Sequence, residues 1–239
     1  MKKIASLPNI LRKFNSNISG YSTLATLGLT KSEKLNVAKS GSIADDMPNQ
    51  ARFLIKKMKK MKTIDYENDW KLVTLFIGGN DLCQYCDKSN LEVHYPENYI
   101  ASIKEALDIL HKEMPRTFVN LVNIVNVKDI KDMNRGLVCK VIHQFVCKCG
   151  AYPKSEKDTE LLDEYFRNYT RLTKDLVDSK RYDIKDDFTV VYQPFFRDFL
   201  PPRLENGKVD LSFFAPDCFH FSLKSHGKFL FIENLNLYI

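Results

Sequence analysis

Short apolar runs alternate along the chain with longer segments in which apolar residues recur every three or four positions. The short runs predict buried parallel strands, and the helical periodicity predicts amphipathic helices between them. This alternation is typical of an α/β fold with a parallel sheet and helices on both faces. The predicted strands are residues 21–27, 35–38, 72–77, 117–125 and 188–192, and the predicted helices are residues 7–14, 44–61, 96–114 and 157–179.

Residues 128–153 show neither periodicity and carry three of the six cysteines. We expect this segment to be an irregular, lid-like surface excursion pinned by disulfides. No linker rich in Pro, Gly or Ser divides the chain. A length of 239 residues therefore predicts one domain over residues 1–239.

Composition and charge narrow the class of protein further. Hydrophobic residues make up 44% of the chain, which is enough for a core, and the net charge is +6. Much of the positive charge lies in residues 56–62. This stretch is compatible with nucleic acid or anionic lipid, but the last turns of a helix explain it better. No apolar run reaches the ~18 residues of a membrane span, and the first residues lack the apolar stretch of a signal peptide.

The cysteines favour an oxidising environment, because disulfide-bearing domains are typical of secreted and cell-surface proteins. The disulfide candidates are Cys83, Cys86, Cys139, Cys147 and Cys149, with Cys83–Cys86 as a plausible local bridge. A zinc site formed by the Cys83/Cys86 and Cys147/Cys149 pairs is the weaker alternative, because the spacings of the two pairs do not match.

Two sequons fit the same environment. Asn17 and Asn168 each precede a Ser or Thr by two positions, and both are candidate glycosylation sites in a secreted protein.

A Gly-Gly-Asn-Asp sequence, residues 78–81, follows the apolar run 72–77 directly. Glycines permit a sharp turn at the carboxyl end of a strand, which is where active sites lie in open α/β sheets. An Asn in that turn can direct a side-chain N–H toward developing negative charge. Gly41 follows the short predicted strand 35–38 and is a candidate backbone donor for the same charge, although an ordinary turn also explains it.

Asp217 and His220 form the second candidate constellation. A carboxylate three residues before an imidazole can fix its tautomer, so that the outer nitrogen acts as a base in acyl transfer. The plain alternative is a carboxylate that caps the following turn beside a surface histidine. The other four histidines have no comparable setting and are interpreted as structural or surface residues.

Together these blocks resemble the SGNH (GDSL) hydrolases, whose third block contains Gly-x-Asn-Asp and whose last block contains Asp-x-x-His. Longer stretches are similar to the phospholipase B1 family over about residues 6–227: residues 76–86, 106–111, 187–196 and 213–222. The resemblance implies a three-layer α/β/α fold and an esterase with His220 as general base, Asp217 as its partner, and Gly41 and Asn80 in the oxyanion hole.

The same resemblance implies cleavage of phospholipids and lysophospholipids at a membrane surface, with acylglycerols and retinyl esters as further substrates. It implies a cell-surface or secreted, membrane-associated protein without cofactor. Neither a metal nor nucleic acid is expected as a partner. The alternative from another class is a non-catalytic lipid- or carbohydrate-binding protein on the same fold.

The sequence departs from the family at two places. No Gly-Asp-Ser occurs in it, so the family's nucleophile block and first strand are expected upstream of Met1, and none of the serines near the start is in the setting of a nucleophile. Residues 228–239 diverge from the family's C-terminal helix. We therefore expect the chain alone to be inactive, with exposed sheet edges that promote aggregation.

Overall fold

A parallel three-stranded sheet forms the centre of the computed structural model, which describes residues 6–23 and 34–227. Strand β1 spans Lys71–Leu75, β2 spans Thr117–Val122 and β3 spans Phe188–Gln193. Their order is β1-β2-β3, with Lys71 opposite Thr117 and Thr117 opposite Phe188. All three carboxyl ends therefore lie at one edge of the sheet, as the predicted α/β fold requires.

Helices flank the sheet and begin where the sequence provides suitable first turns. Ser6 and Ser155 each cap a helix with the side-chain hydroxyl. Pro lies in the first turn of three helices, one of which is the helix that Ser6 caps. The helices are α1 (Leu7–Phe14), α2 (Met47–Lys59), α3 (Gly79–Gln84), α4 (Pro96–Glu113), α5 (Gly136–Val146), α6 (Lys148–Ala151) and α7 (Glu156–Asp178).

Helix α4 is the centre of the packing, because it contacts both α2 and α7. Ile103 and Leu107 on α4 are fully buried, as are Val119 on β2 and Tyr169 on α7. The ring of Tyr99 stacks on that of Tyr169 with their centroids 3.9 Å apart. One apolar core thus joins α2 to α7, in agreement with the predicted α/β class.

Several predicted elements are wrong. Residues 35–38 do not form a strand, because the backbone N–H of Ala38 bonds to the side chain of Asn36 instead of to a neighbouring strand. The predicted strand 21–27 is irregular at residues 21–23, and its remainder lies outside the described residues. Residues 128–153 are helical rather than irregular: they contain α5, α6 and the 3₁₀ helix Lys128–Met133.

Strand β1 is buried on one face only, so its prediction as a fully buried strand was wrong. Leu72 and Phe76 expose 45% and 49% of their surface. The physical reason is position: within the described residues β1 is an edge strand.

The lysines of residues 56–62 behave as interpreted, since Lys56, Lys57 and Lys59 lie in the last turn of α2.

A carboxylate network between α4 and the start of β3 gives a test of the fold. Asp108 accepts hydrogen bonds from Arg181, Lys104 and Tyr182. Burial raises its pKa, but these donors outweigh burial and lower the pKa from 3.8 to about 2. Because the folded-state pKa lies below the ordinary one, the stabilisation is complete above about pH 4 and is lost as the pH falls toward about 2.

We expect Asp108→Asn to lower the free energy of unfolding by about 1–2 kcal/mol at pH 7, and by less at pH 3. Urea unfolding at both pH values measures this. Asp175→Asn is the matched control, because its ion pair with Arg171 is exposed and contributes little. Equal effects of the two substitutions would contradict the prediction.

Candidate active site

The Gly-Gly-Asn-Asp turn begins at the carboxyl end of β1 and leads into α3. Gly78 has φ +118°, and a Cβ there would approach Ile124 Cγ2 to 2.6 Å and Tyr99 Cε2 to 2.9 Å. Both the backbone angle and the space therefore require glycine. This turn presents Asn80 at the edge of the sheet where the strands end.

Asn80 and Asp81 fix a second turn beside the first. The Nδ2 atom of Asn80 donates to the carbonyl of Ser42 at 2.8 Å. The buried carboxylate of Asp81 accepts the backbone N–H of Ala44 at 3.1 Å. Gly41, with φ +78°, lies in this second turn and is exposed. The two residues predicted for the oxyanion hole thus lie in neighbouring, hydrogen-bonded turns.

His220 and Asp217 form a direct pair. Asp217 Oδ2 lies 2.6 Å from His220 Nδ1, and Asp217 Oδ1 accepts the backbone N–H groups of Phe219 and His220, each at 3.0 Å. Partial burial raises the pKa of Asp217, but the hydrogen bonds from His220 and the two N–H groups outweigh burial and hold the pKa below its usual range. The carboxylate is therefore ionised at neutral pH, and the imidazole side chain is 67% exposed.

The pair lies in a compact loop, residues 213–222, which we call the His220 loop. The N–H of Ala215 donates to the carbonyl of His220 at 2.7 Å, and that of Ser222 donates to Phe213 at 3.0 Å. Cys218, between the paired residues, has φ +59°, a left-handed conformation that is uncommon outside glycine. Backbone hydrogen bonds thus close the loop around the Asp217–His220 pair.

Helix α5 holds the His220 loop through two bonds to one residue. Cys139 forms a disulfide with Cys218. One turn later on the same helix, His143 Nε2 lies 3.1 Å from the carbonyl of Cys218. A carbonyl only accepts, so Nε2 carries the proton and donates it. His143 is completely buried, so of the two interpretations of the other histidines, structural or surface, the structural one holds for it; its spacing of four from Cys139 places both on one side of the helix.

A row of aromatic rings connects the His220 loop to the end of β1. Phe221, next to His220, stacks on Phe196 with centroids 5.5 Å apart, and Phe196 stacks on Phe76 at 5.2 Å. Phe76 precedes Asn80 by four residues. The candidate base and the candidate oxyanion donors therefore lie along the same edge of the sheet.

The predicted local bridge Cys83–Cys86 is wrong. Cys83 pairs with Cys147 and Cys86 with Cys149, because α3, which carries Cys83 and ends just before Cys86, packs against α6. The pairing of all four sulfurs also excludes the zinc alternative. Cys218, which was not among the disulfide candidates, pairs with Cys139. In the described part of the chain, no group of three or more His, Cys, Asp or Glu side chains is arranged to hold a metal ion.

Two serines near the start, Ser6 and Ser42, have other roles. Ser6 Oγ caps α1, and Ser42 Oγ accepts a hydrogen bond from Gln50 Nε2 at 2.9 Å.

Both glycosylation candidates stay predictions. Asn17 is exposed after α1, whereas Asn168 is half-buried within α7 and accepts a hydrogen bond from Arg171.

A surface cavity of about 490 Å³ lies at the start of α7, lined by charged side chains that include Lys128, Glu156 and Asp163. None of the candidate site residues lines it.

The fold is that of a hydrolase class: residues 3–230 match the family model described as GDSL-like Lipase/Acylhydrolase, and the chain belongs to that family. Among curated proteins, it is 43% identical over 231 residues to "Phospholipase B1, membrane-associated" of Homo sapiens and 42% identical over 233 residues to the protein of that name in Mus musculus. These alignments cover 94% and 95% of this chain but 16% of each relative. The resemblance to phospholipase B1 is thereby confirmed, over about a sixth of the relatives' length.

The contact between His143 and Cys218 can be tested without catalysis. We expect His143→Leu, which removes the donor, to speed amide hydrogen exchange in the His220 loop about tenfold, as loss of a bond of roughly 1.4 kcal/mol implies. His143→Gln keeps a donor and is expected to show a smaller change. His111→Gln, in α4, is the control. Unchanged exchange in His143→Leu would show that the hydrogen bond does not hold the loop.

The same variants test a pH effect. Burial lowers the pKa of His143, while its bond to Cys218 and the charge of Asp217 partly oppose this. The unfolded state therefore binds the proton more readily, and stability is lost as the pH falls below about 6.5. We expect both His143 variants to lose less stability than the unmodified chain between about pH 7 and pH 5 in urea unfolding.

Proposed function

We propose that this domain hydrolyses carboxylic esters of phospholipids and lysophospholipids through a Ser-His-Asp acyl-enzyme mechanism. The observation that carries the proposal is the 2.6 Å contact between Asp217 Oδ2 and His220 Nδ1 in a member of the GDSL family. The serine would be supplied by a Gly-Asp-Ser strand that this sequence does not contain.

In this mechanism Asp217 accepts a hydrogen bond from Nδ1–H of His220, which leaves the lone pair on Nε2. Nε2 then takes the proton of the serine hydroxyl as the hydroxyl attacks the ester carbonyl, and later returns it to the departing alcohol. The ionised state of Asp217 supports this role, because only a carboxylate stabilises the imidazolium that forms.

The oxyanion of the tetrahedral intermediate would be stabilised by Asn80 and by the backbone N–H of Gly41. Nδ2 of Asn80 has two hydrogens, of which one bonds to Ser42. The second is available for the substrate oxygen. The exposed glycine in the neighbouring turn lets an ester approach its backbone closely.

The open edge of β1 is where the serine strand would pair. β1 ends the sheet in the described residues, and Leu72 in it and Phe76 just after it are half exposed. A parallel strand added there would pair with the free backbone edge of β1 and would end beside the Asn80 turn.

The substrates and location are inferred from the relatives. The human and mouse proteins are named phospholipase B1 and membrane-associated. We accordingly propose phospholipids and lysophospholipids at a membrane surface as substrates, with acylglycerols and retinyl esters as further ones, and a cell-surface or secreted location. The helices of the described residues include none with the length and apolar character needed to cross a bilayer.

The test is release of fatty acid from lysophosphatidylcholine by two proteins. The chain as it stands is expected to release none. The same chain, extended at its N-terminus by a Gly-Asp-Ser strand from a family member, is expected to be active, and His220→Ala is expected to reduce kcat/KM by about 10³-fold or more. Asp210→Asn, a carboxylate that caps the neighbouring 3₁₀ helix, is the control.

Activity of the unextended chain that His220→Ala abolishes would disprove the need for an added serine. Lipid binding without turnover by the extended, folded protein would favour the non-catalytic lipid-binding alternative.

A second substitution tests the oxyanion hole. In the extended protein we expect Asn80→Ala to reduce kcat by about 10²–10³-fold, because a donor to the transition state is lost. Gln50→Ala is the matched control, since it removes another hydrogen bond to Ser42 without removing an oxyanion donor. Equal losses in kcat would show that Asn80 acts only by holding the Ser42 turn.

A further inference from the structure

Helix α5 exposes a continuous apolar stripe that the candidate active site does not use. Leu137, Val138, Val141 and Phe145 expose between 47% and 84% of their surface. Their spacing places them on one side of the helix. We call these four side chains the α5 face.

The opposite side of α5 is the side that holds the His220 loop, through Cys139 and the fully buried His143. The α5 face therefore points away from the core, on an element bonded directly to the candidate base. Burying these large apolar side chains inside the domain would have been the ordinary outcome, so an exposed stripe of this size indicates a binding surface.

The segment that carries the α5 face has charges of one sign along the sequence, and the acidic group that Lys148 acts on, Asp87, lies outside the segment. Residues 133–155 contain no Asp or Glu, but they contain Arg135, Lys140, Lys148 and Lys154. Lys140 and Lys148 are exposed and make no ion pair with any residue of the described ranges. An apolar stripe flanked by unpaired lysines is the pattern that lies in the interface of an anionic membrane.

We propose that the α5 face docks on an anionic phospholipid surface and holds the His220 loop close to it. The proposal deepens the proposed function and rests on it, because the docking would bring the site to its substrate only if that substrate is a phospholipid ester in the surface. The occupant is a bilayer rather than a second copy of the chain, since two copies would bring their lysines together without a counter-charge.

Sedimentation with vesicles tests the docking without requiring catalysis. Vesicles of phosphatidylcholine with phosphatidylserine are expected to bind the chain, and vesicles of phosphatidylcholine alone are expected to bind it more weakly. The double substitution Leu137→Gln/Phe145→Gln should weaken binding about tenfold or more, because the inserted apolar area is lost. Lys140→Glu/Lys148→Glu should remove the preference for phosphatidylserine.

Ile184→Gln is the matched control, because Ile184 is as exposed as the α5 face but lies elsewhere, before β3. Its binding is expected to be unchanged. Equal losses for Ile184→Gln and the α5 variant would overturn the proposal, as would unchanged vesicle binding by the α5 variant. Light scattering that shows a dimer abolished by Leu137→Gln/Phe145→Gln, together with no binding to vesicles, would assign the face to a second copy and would also overturn it.

A soluble ester separates this inference from the proposed function. In the extended protein, Leu137→Gln/Phe145→Gln is expected to keep its activity on p-nitrophenyl butyrate and to lose activity on vesicles. Normal hydrolysis of the soluble ester with no vesicle binding by the unmodified protein would disprove the docking alone. Vesicle binding through the α5 face with no hydrolysis of either substrate would disprove the esterase function alone.

Discussion

Three disulfides bind one helical segment, residues 136–151, to both halves of the candidate active site. Two of them join α6 to Cys83 and Cys86, at the end of and just beyond the helix that follows the Asn80 turn, and the third joins α5 to Cys218 in the His220 loop. They close chain separations of 63–79 residues, and in the chain-entropy account closing one such loop by itself contributes about 4 kcal/mol. The positions of Asn80 and His220 therefore depend on this segment as well as on the sheet.

The sheet supplies the second constraint. In a parallel sheet neighbouring strands lie about 4.8 Å apart, and their carboxyl ends meet at one edge. β1 ends in the Asn80 turn, and the aromatic row from Phe76 through Phe196 to Phe221 leads along that edge to the His220 loop. A polar site assembled from distant parts of the chain is thus held by apolar stacking beneath it.

Features encoded locally could be predicted from the sequence. The apolar runs placed all three strands, and the helical periodicity placed α1, α2, α4 and α7. The spacing of Asp217 and His220 indicated their pairing, since three residues in a turn bring the side chains together. The two-turn arrangement of Gly41 and Asn80 followed from the family resemblance.

Features that depend on contacts between distant residues could not be predicted. The disulfide pairing depends on how α3 faces α6, which no local spacing records, and so Cys83–Cys86 was the wrong bridge. The prediction of irregular structure for residues 128–153 is wrong because apolar residues lie on both the exposed and the buried sides of α5, which obscures the helical periodicity. The contact of His143 with the His220 loop could not be predicted either, because its partner is a backbone carbonyl 75 residues away.

Cys218 carries two requirements that no other residue type meets together. Its left-handed backbone angle would suit glycine, and for other residues this conformation costs about 1–2 kcal/mol. Glycine would remove that cost but would also remove the sulfur that ties the His220 loop to α5. Any substitution at this position therefore removes the disulfide that attaches the His220 loop to α5, and only glycine relieves the backbone angle in return.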